Sequence, residues 1–270
     1  MAKNVVVGAH PWVYAARRPQ RDIYPILGEI FADMSASGLD GIELMDSALV
    51  PDGAVERIGE LSREHGLPVI GTSFGACMWD RAKHAEIRDY AKGVVARLAQ
   101  LGGRTLGVSV GAAPKRKTPE QLDAQADLLR EVVALCEAHR VVLNLHNHTY
   151  EVQDGLYDLR GTLDRVPEAK LGPDLNWLLR AGVDPVKFLH EFRERIVFLH
   201  LRDQHAGGRW SEALGEGDMD YRAISRALRE ISFAGDVIIE LAHERDFEPT
   251  RPIGESLKRS RAFVKEVLGY

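Results

Sequence analysis

Residues 141–146 read Val141-Val142-Leu143-Asn144-Leu145-His146, a short and mostly apolar run that stops on an imidazole. The same figure recurs three more times. Lys170-Leu171-Gly172-Pro173 leads to Asp174, Ile196-Val197-Phe198-Leu199 ends in His200, and Asp236-Val237-Ile238-Ile239 ends in Glu240. Apolar runs this short read as buried strands, so each polar residue falls at a strand's C-terminal end. The four are spaced 28, 26 and 40 residues apart, long enough for the return helix that parallel strands require. If the strands close into one barrel, all four side chains meet on one rim. Two imidazoles and two carboxylates there make a donor set for a divalent metal ion.

Strand-like and helix-like segments alternate outward from that stretch to both ends. Strands are expected at 4–9, 41–45, 68–74, 104–110, 141–146, 170–175, 196–201 and 236–241. Helices are expected near 20–37, 54–65, 81–101, 119–139, 159–165, 185–194, 220–231 and 253–267. Thr118-Pro119-Glu120-Gln121 places a capping hydroxyl, a first-turn proline and a capping-box glutamine in order. Asp184-Pro185 repeats the cap-then-proline pattern, and Gly38 and Gly102 suit helix C-termini. An unbroken βα alternation leaves a closed barrel or an open doubly wound sheet. Eight units, no Gly-x-Gly-x-x-Gly turn after the first strand, and polar residues at many strand ends favour the α/β class and a single (β/α)8 TIM barrel over 1–270.

Composition agrees. A chain of 270 residues is close to the roughly 250 of a typical barrel of this kind. The net charge of −5 argues against a nucleic-acid partner, which needs a basic face. No stretch approaches the roughly 18 apolar residues of a membrane span. Met1-Ala2-Lys3-Asn4 runs into an apolar Val5-Val6-Val7 that is too short for a signal-peptide core, so a cytoplasmic location is expected. Cys77 and Cys136 support no disulfide framework. No nucleic-acid or membrane partner is expected, and a homo-oligomer is compatible with the sequence.

Further rim positions follow from the same strand ends. His10 and Trp12, after the first strand, pair a polar group with a flat apolar wall, as a sugar site does. Glu43 ends the second strand and reads as catalytic, as substrate-binding, or as a partner for a loop cation. Lys115-Arg116-Lys117, on the same rim after strand four, reads as a solvated charge run, with phosphate binding as the lesser alternative. The loop 202–219, rich in Gly and acidic residues, reads equally as a lid or as passive surface.

Several stretches together resemble the xylose-isomerase-like barrels of sugar isomerases, epimerases and related sugar lyases. They are Leu145-His146-Asn147-His148, the run from Asp174-Leu175-Asn176-Trp177 to Asp184-Pro185, His200-Leu201-Arg202-Asp203, Gly215-Glu216-Gly217-Asp218-Met219-Asp220-Tyr221 and Ile239-Glu240, with Gly41-Ile42-Glu43-Leu44 earlier. The resemblance spans almost the whole chain. It implies one divalent ion, first Mn²⁺, with Mg²⁺, Co²⁺ or Zn²⁺ as alternatives. Asp174, His200 and Glu240 match three of the family's four ligand positions. His146 stands where the family usually carries glutamate. Epimerases of the family use two glutamates as paired acid and base, so an imidazole here shifts weight toward one-base chemistry. Trp177 stands where many epimerases carry a substrate-contacting histidine.

His146 is favoured as ligand, and His148, on the same side of a continuing strand, as a catalytic or substrate contact. His10, Trp12, Trp177 and Arg202 are expected to bind substrate. The expected function is a metal-dependent isomerase or epimerase of a keto-sugar, acting through an enediolate with Glu240 or Glu43 as base. Elimination by a keto-sugar dehydratase or glycoside lyase is the runner-up. A non-catalytic sugar-binding barrel is the alternative of another class.

Overall fold

The computed structural model describes residues 5–270. Asn4, where the first strand is expected to begin, and the N-terminal run before it lie outside the described residues. Eight parallel strands follow in chain order: β1 Val7–Ala9, β2 Gly41–Met45, β3 Val69–Gly75, β4 Thr105–Ser109, β5 Val142–Leu145, β6 Lys170–Leu171, β7 Phe198–Leu201 and β8 Asp236–Ile239. Their order around the sheet is β6-β5-β4-β3-β2-β1-β8-β7. The ring closes between β6 and β7 through bridges at Leu171–Ile196 and Asp174–His200. Backbone bonds from Val197 N to Leu171 O (2.9 Å) and from His200 N to Pro173 O (3.0 Å) complete the seam. The protein is a TIM barrel.

Ten α-helices surround it: α1 Trp12–Ala15, α2 Leu27–Ala36, α3 Ala54–His65, α4 His84–Gln100, α5 Pro119–Ala138, α6 Thr149–Arg165, α7 Leu175–Arg180, α8 Pro185–Glu191, α9 Tyr221–Glu230 and α10 Ile253–Phe263. The capping box at Thr118 and the Asp184 cap form as the sequence predicts. Four elements differ from expectation. The 20–37 helix begins only at Leu27, because Pro19 and Pro25 open short 3₁₀ turns before it. The 159–165 helix is the end of a longer α6 whose path breaks at Gln153–Leu156, where Asp154, Gly155 and Leu156 all take positive φ. Asp174 ends no strand: β6 is two residues long, and Asp174 caps the unexpected α7 by accepting from Asn176 N and Trp177 N. The 253–267 helix finishes in a π-turn at Val264–Leu268.

The barrel floor is apolar. Ile70, Phe198 and Ile238 form an inner cluster, and it packs so closely that a Cβ on Gly8 would lie 2.9 Å from both Ile70 Cδ1 and Ile238 Cδ1. Above it the filling turns polar: Glu43, Thr72 and Asn144 are each 0% exposed. That layer supports the site.

Candidate active site

At the C-terminal mouth a cavity of about 280 Å³ is lined by His10, Trp12, Asp46, Ser73, His146, His148, His200 and Glu240, among others. The polar residues arrive from β1, β2, β3, β5, β7 and β8 or the loops after them, with His146 and His148 both following β5, as this fold arranges its sites. Ligand atoms of His146, Asp174 and Glu240 lie within 4.8 Å of one another. His200 joins them from β7, with its Nδ1 3.0 Å from Nδ1 of His146.

The polar layer below fixes these groups. Nε2 of His200 donates to Oε2 of Glu43 at 2.5 Å. Burial opposes a charge on His200, but Glu43, with Glu240 and Asp174, outweighs it and raises the imidazole to about 9. Burial, with His200 and His148 beside it, holds His146 well below its ordinary value. The Nδ1 atoms of His146 and His200 therefore face one another, while Glu43 holds the remote Nε2 of His200.

Arg202 is 4% exposed and bridges two carboxylates, with Nε 2.7 Å from Asp174 and a terminal nitrogen 2.5 Å from Glu240. Burial disfavours the carboxylate of Glu240. Arg202, His10, His200 and His146 overcome that and hold it far below the usual carboxylate range. Asn147 ties β5 to this centre by exchanging bonds with the Asp174 backbone at 3.3 and 3.2 Å.

The donor set fits a divalent cation. Two nitrogens bound to one ion at about 2.1 Å, at right angles, stand roughly 3 Å apart, which matches the His146–His200 spacing. A carboxylate on the remote nitrogen of a ligand imidazole is the usual outer support of such a site, and Glu43 occupies that place. Two carboxylates against the single guanidinium of Arg202 leave negative charge for the ion to neutralise.

A second set of bonds runs up the other wall. Oγ of Ser109 donates to Oε1 of Glu151 at 2.6 Å, and a hydroxyl has one proton to give. Tyr150, 2.9 Å from Ser109, must then donate to it. Its phenolic oxygen is left to accept from Nδ1 of His148 at 3.1 Å. Oε2 of Glu151, 3.6 Å from the same Nδ1, favours a proton there as well. The chain sets the tautomer of His148 and leaves the Nε2 lone pair for the cavity.

The expected site residues thus fall into separate places. His10, Trp12, His146, His148, His200 and Glu240 line the cavity, and Asp174 stands with them. Glu43 lies beneath His200 with no exposed surface, so it reaches substrate only through that ring. Arg202 is buried between the carboxylates of Asp174 and Glu240. Trp177 stands behind His148, ring centroids 5.6 Å apart, with Trp210 against its other side. The 202–219 loop is pinned: Asp203 accepts backbone N–H groups from Gln204, Gly215, Gly217 and Met219. Lys117, expected in a solvated run, is buried against Asp158 at 2.5 Å.

Three residues carry roles that the sequence reading missed. Ser73 bonds Nε2 of His10 at 3.0 Å. Tyr150 orients His148. Asp46, just past β2, faces the cavity without a cation partner among the described residues, and burial raises its carboxyl to about 6. Only its position one residue after a strand end marked it, a signal shared by many loop residues.

The profile of the family described as xylose isomerase-like TIM barrel matches residues 31–266. None of the curated proteins matches the sequence. Among solved structures, a D-allulose 3-epimerase from Methylomonas sp. superimposes with a TM-score of 0.81 at 19% identity, covering 99% of this chain and 100% of that one. A 3-keto-D-glucoside 4-epimerase from E. coli gives 0.76 at 18%, covering 97% and 100%. An L-ribulose 3-epimerase gives 0.75 at 21%, covering 98% and 95%.

Proposed function

We propose, from the premise that the chain belongs to the xylose isomerase-like TIM-barrel family, that it is a divalent-metal-dependent epimerase or isomerase of a keto-sugar, working in the cytoplasm. The observation that carries this reading is His148, whose Nδ1 is held 3.1 Å from the Tyr150 hydroxyl while its ring lines a cavity walled by His146, His200 and Glu240. His146, Asp174, His200 and Glu240 would hold a divalent ion, Mn²⁺ first, which would supply Lewis-acid chemistry at a ketone oxygen. The protein's own groups do the rest.

His148 takes the proton from the carbon beside the carbonyl. The Glu151–Ser109–Tyr150 chain holds its ring and stabilises the positive charge the ring acquires. Asp46, poised near neutrality, comes from the far side of the mouth and returns a proton to the opposite face in an epimerisation. Glu240, held ionised by Arg202, is a poor base and a good ligand. Trp12 and His10 receive the sugar's apolar face and a hydroxyl. The cavity of about 280 Å³ is just below the usual ligand-pocket range, about 300–1,000 Å³, and suits a single sugar unit.

The test is turnover of ketoses with Mn²⁺ in D₂O, followed by NMR. Deuterium on carbon is expected with the native chain, and His148→Gln should lower its rate about 10²–10⁴-fold. Tyr150→Phe should lower it less. Release of water or an aglycone in place of carbon-bound deuterium would replace this reading with elimination. No exchange and no product would leave the enzyme reading without support.

A further inference from the structure

Outside the catalytic cavity lies a wider chamber of about 820 Å³, and Trp12 and Arg21 line both. Arg17, Arg18 and Arg21 enter it from the loop after α1, and Arg245 from the loop after β8. Among the described residues none of these four guanidiniums forms an ion pair, whereas Arg209, nearby in the fold, pairs with Asp246. Only two carboxylates, Glu244 and Glu248, face them in the chamber. A concentration of unpaired cations is unexpected in a chain of net charge −5.

Other features of the chamber also suit a ligand. Trp12 and Trp210 supply aromatic faces, and the Arg21 guanidinium stacks 4.8 Å from the Trp12 ring centroid. Gln20 and Arg21 both hold positive φ, 53° and 57°, although neither is glycine. Such backbone costs on the order of 1–3 kcal/mol per residue, and here it keeps Arg21 at the junction of the two chambers. Nε2 of His243 is buried in this wall without a hydrogen-bond partner.

We infer that the substrate is larger than a bare neutral ketose: it carries an anionic group, a carboxylate or a phosphate, into the outer chamber, where Arg17, Arg18, Arg21 and Arg245 receive it. Guanidinium forks match both anions bidentately. Aromatic faces beside them suit the apolar face of a second ring or of the linking chain. The inference rests on reading the inner cavity as a ketose site, and it adds the class of ketose.

Calorimetry at low ionic strength with Mn²⁺ compares D-fructose, D-fructose 6-phosphate and D-fructuronate as probes. One or both anionic sugars should bind at least tenfold more tightly than fructose, and which one does so identifies the anion. Arg17→Ala should lower the anionic-to-neutral affinity ratio about fivefold or more. Because Arg17 also bonds the Phe247 carbonyl, Arg245→Glu provides a second variant, and it should abolish the preference. Equal binding of the neutral sugar, a preference that survives both variants, or no binding of either anionic sugar would overturn the inference. Arginine-dependent binding without carbon-bound deuterium in any sugar would instead remove the proposed reaction and leave the chamber standing.

Discussion

The inner cavity and the outer chamber share two residues, Trp12 and Arg21, yet handle charge in opposite ways. Around the proposed ligands inside, the charged groups are buried and matched. Arg202 lies between Asp174 and Glu240, and His200 between Glu43 and His146. Outside, Arg17, Arg21 and Arg245 are exposed and unmatched. Buried pairs feel a low dielectric and little screening, so they hold atoms in fixed places. Exposed cations are screened within about 8–10 Å at ordinary salt. They can attract and select a ligand, but they do not position reacting atoms. The difference separates chemistry from recognition within one mouth.

The comparison breaks most visibly at Asp174. Asp174→Ala removes one of the two partners of buried Arg202 and the cap of α7. Leaving a buried charge half-paired costs about 3–5 kcal/mol, and a lost cap about 1 kcal/mol. Urea denaturation should register that sum, and Mn²⁺ binding should disappear. Asp174→Asn keeps a capping oxygen and should recover only the smaller part. Unchanged stability in Asp174→Ala would mean that the inner charges are not the fixed set described.

Glu43 gives a smaller effect that separates support from catalysis. If it orients His200, Glu43→Gln should weaken Mn²⁺ binding about 10–100-fold while turnover at saturating Mn²⁺ stays within a few-fold of native. A fall in saturated turnover of about 10²-fold or more would restore Glu43 as the base. Titrating metal at fixed ketose measures both quantities.

Asp46 tests the inner side of the boundary through pH. Its carboxyl, raised to about 6 by burial, lies above the unfolded value of about 3.9. The native state therefore binds the proton more tightly than the unfolded state does. That contribution to stability is full below about pH 4 and is lost as pH rises through about 6. Asp46→Asn removes the loss, so relative to the native chain it should gain on the order of 1–3 kcal/mol between pH 4 and pH 7. Because Asp46 must carry a proton to return one, turnover of the native chain should fall as pH rises through about 6, and the variant should lack that limb. Parallel stability curves would show that Asp46 is solvated as an ordinary surface carboxylate.

Much of this was legible in the residues. The βα alternation and the placement of His146 and Glu240 just past β5 and β8, with His200 one residue before the end of β7, emerge from short apolar runs alone. The capping signals at Thr118 and Asp184 are local, within three residues of the groups they serve, and they formed as read. Asp174 was in the right place for a different local reason: Gly172 and Pro173 end β6 early, and the carboxylate caps a helix that the apolar pattern had hidden.

The partnerships that the sequence did not reveal are long-range. Glu43 and His200 are 157 positions apart, and Arg202 and Asp174 are 28 apart. Nothing at either end of such a pair announces the other. Lys117 looked like part of a solvated run because its neighbours are basic, and only the packing of α6 on α5 brings Asp158 to it.

The sequence by itself determined the barrel, the rim and the kinds of donor atom gathered there, because periodicity and strand-end polarity are properties of consecutive residues. Only the tertiary structure decided which carboxylate supports, which binds and which faces the cavity, and which arginines are paired and which are free. Those distinctions depend on burial and on hydrogen-bond direction, and both arise only when distant segments close on one another.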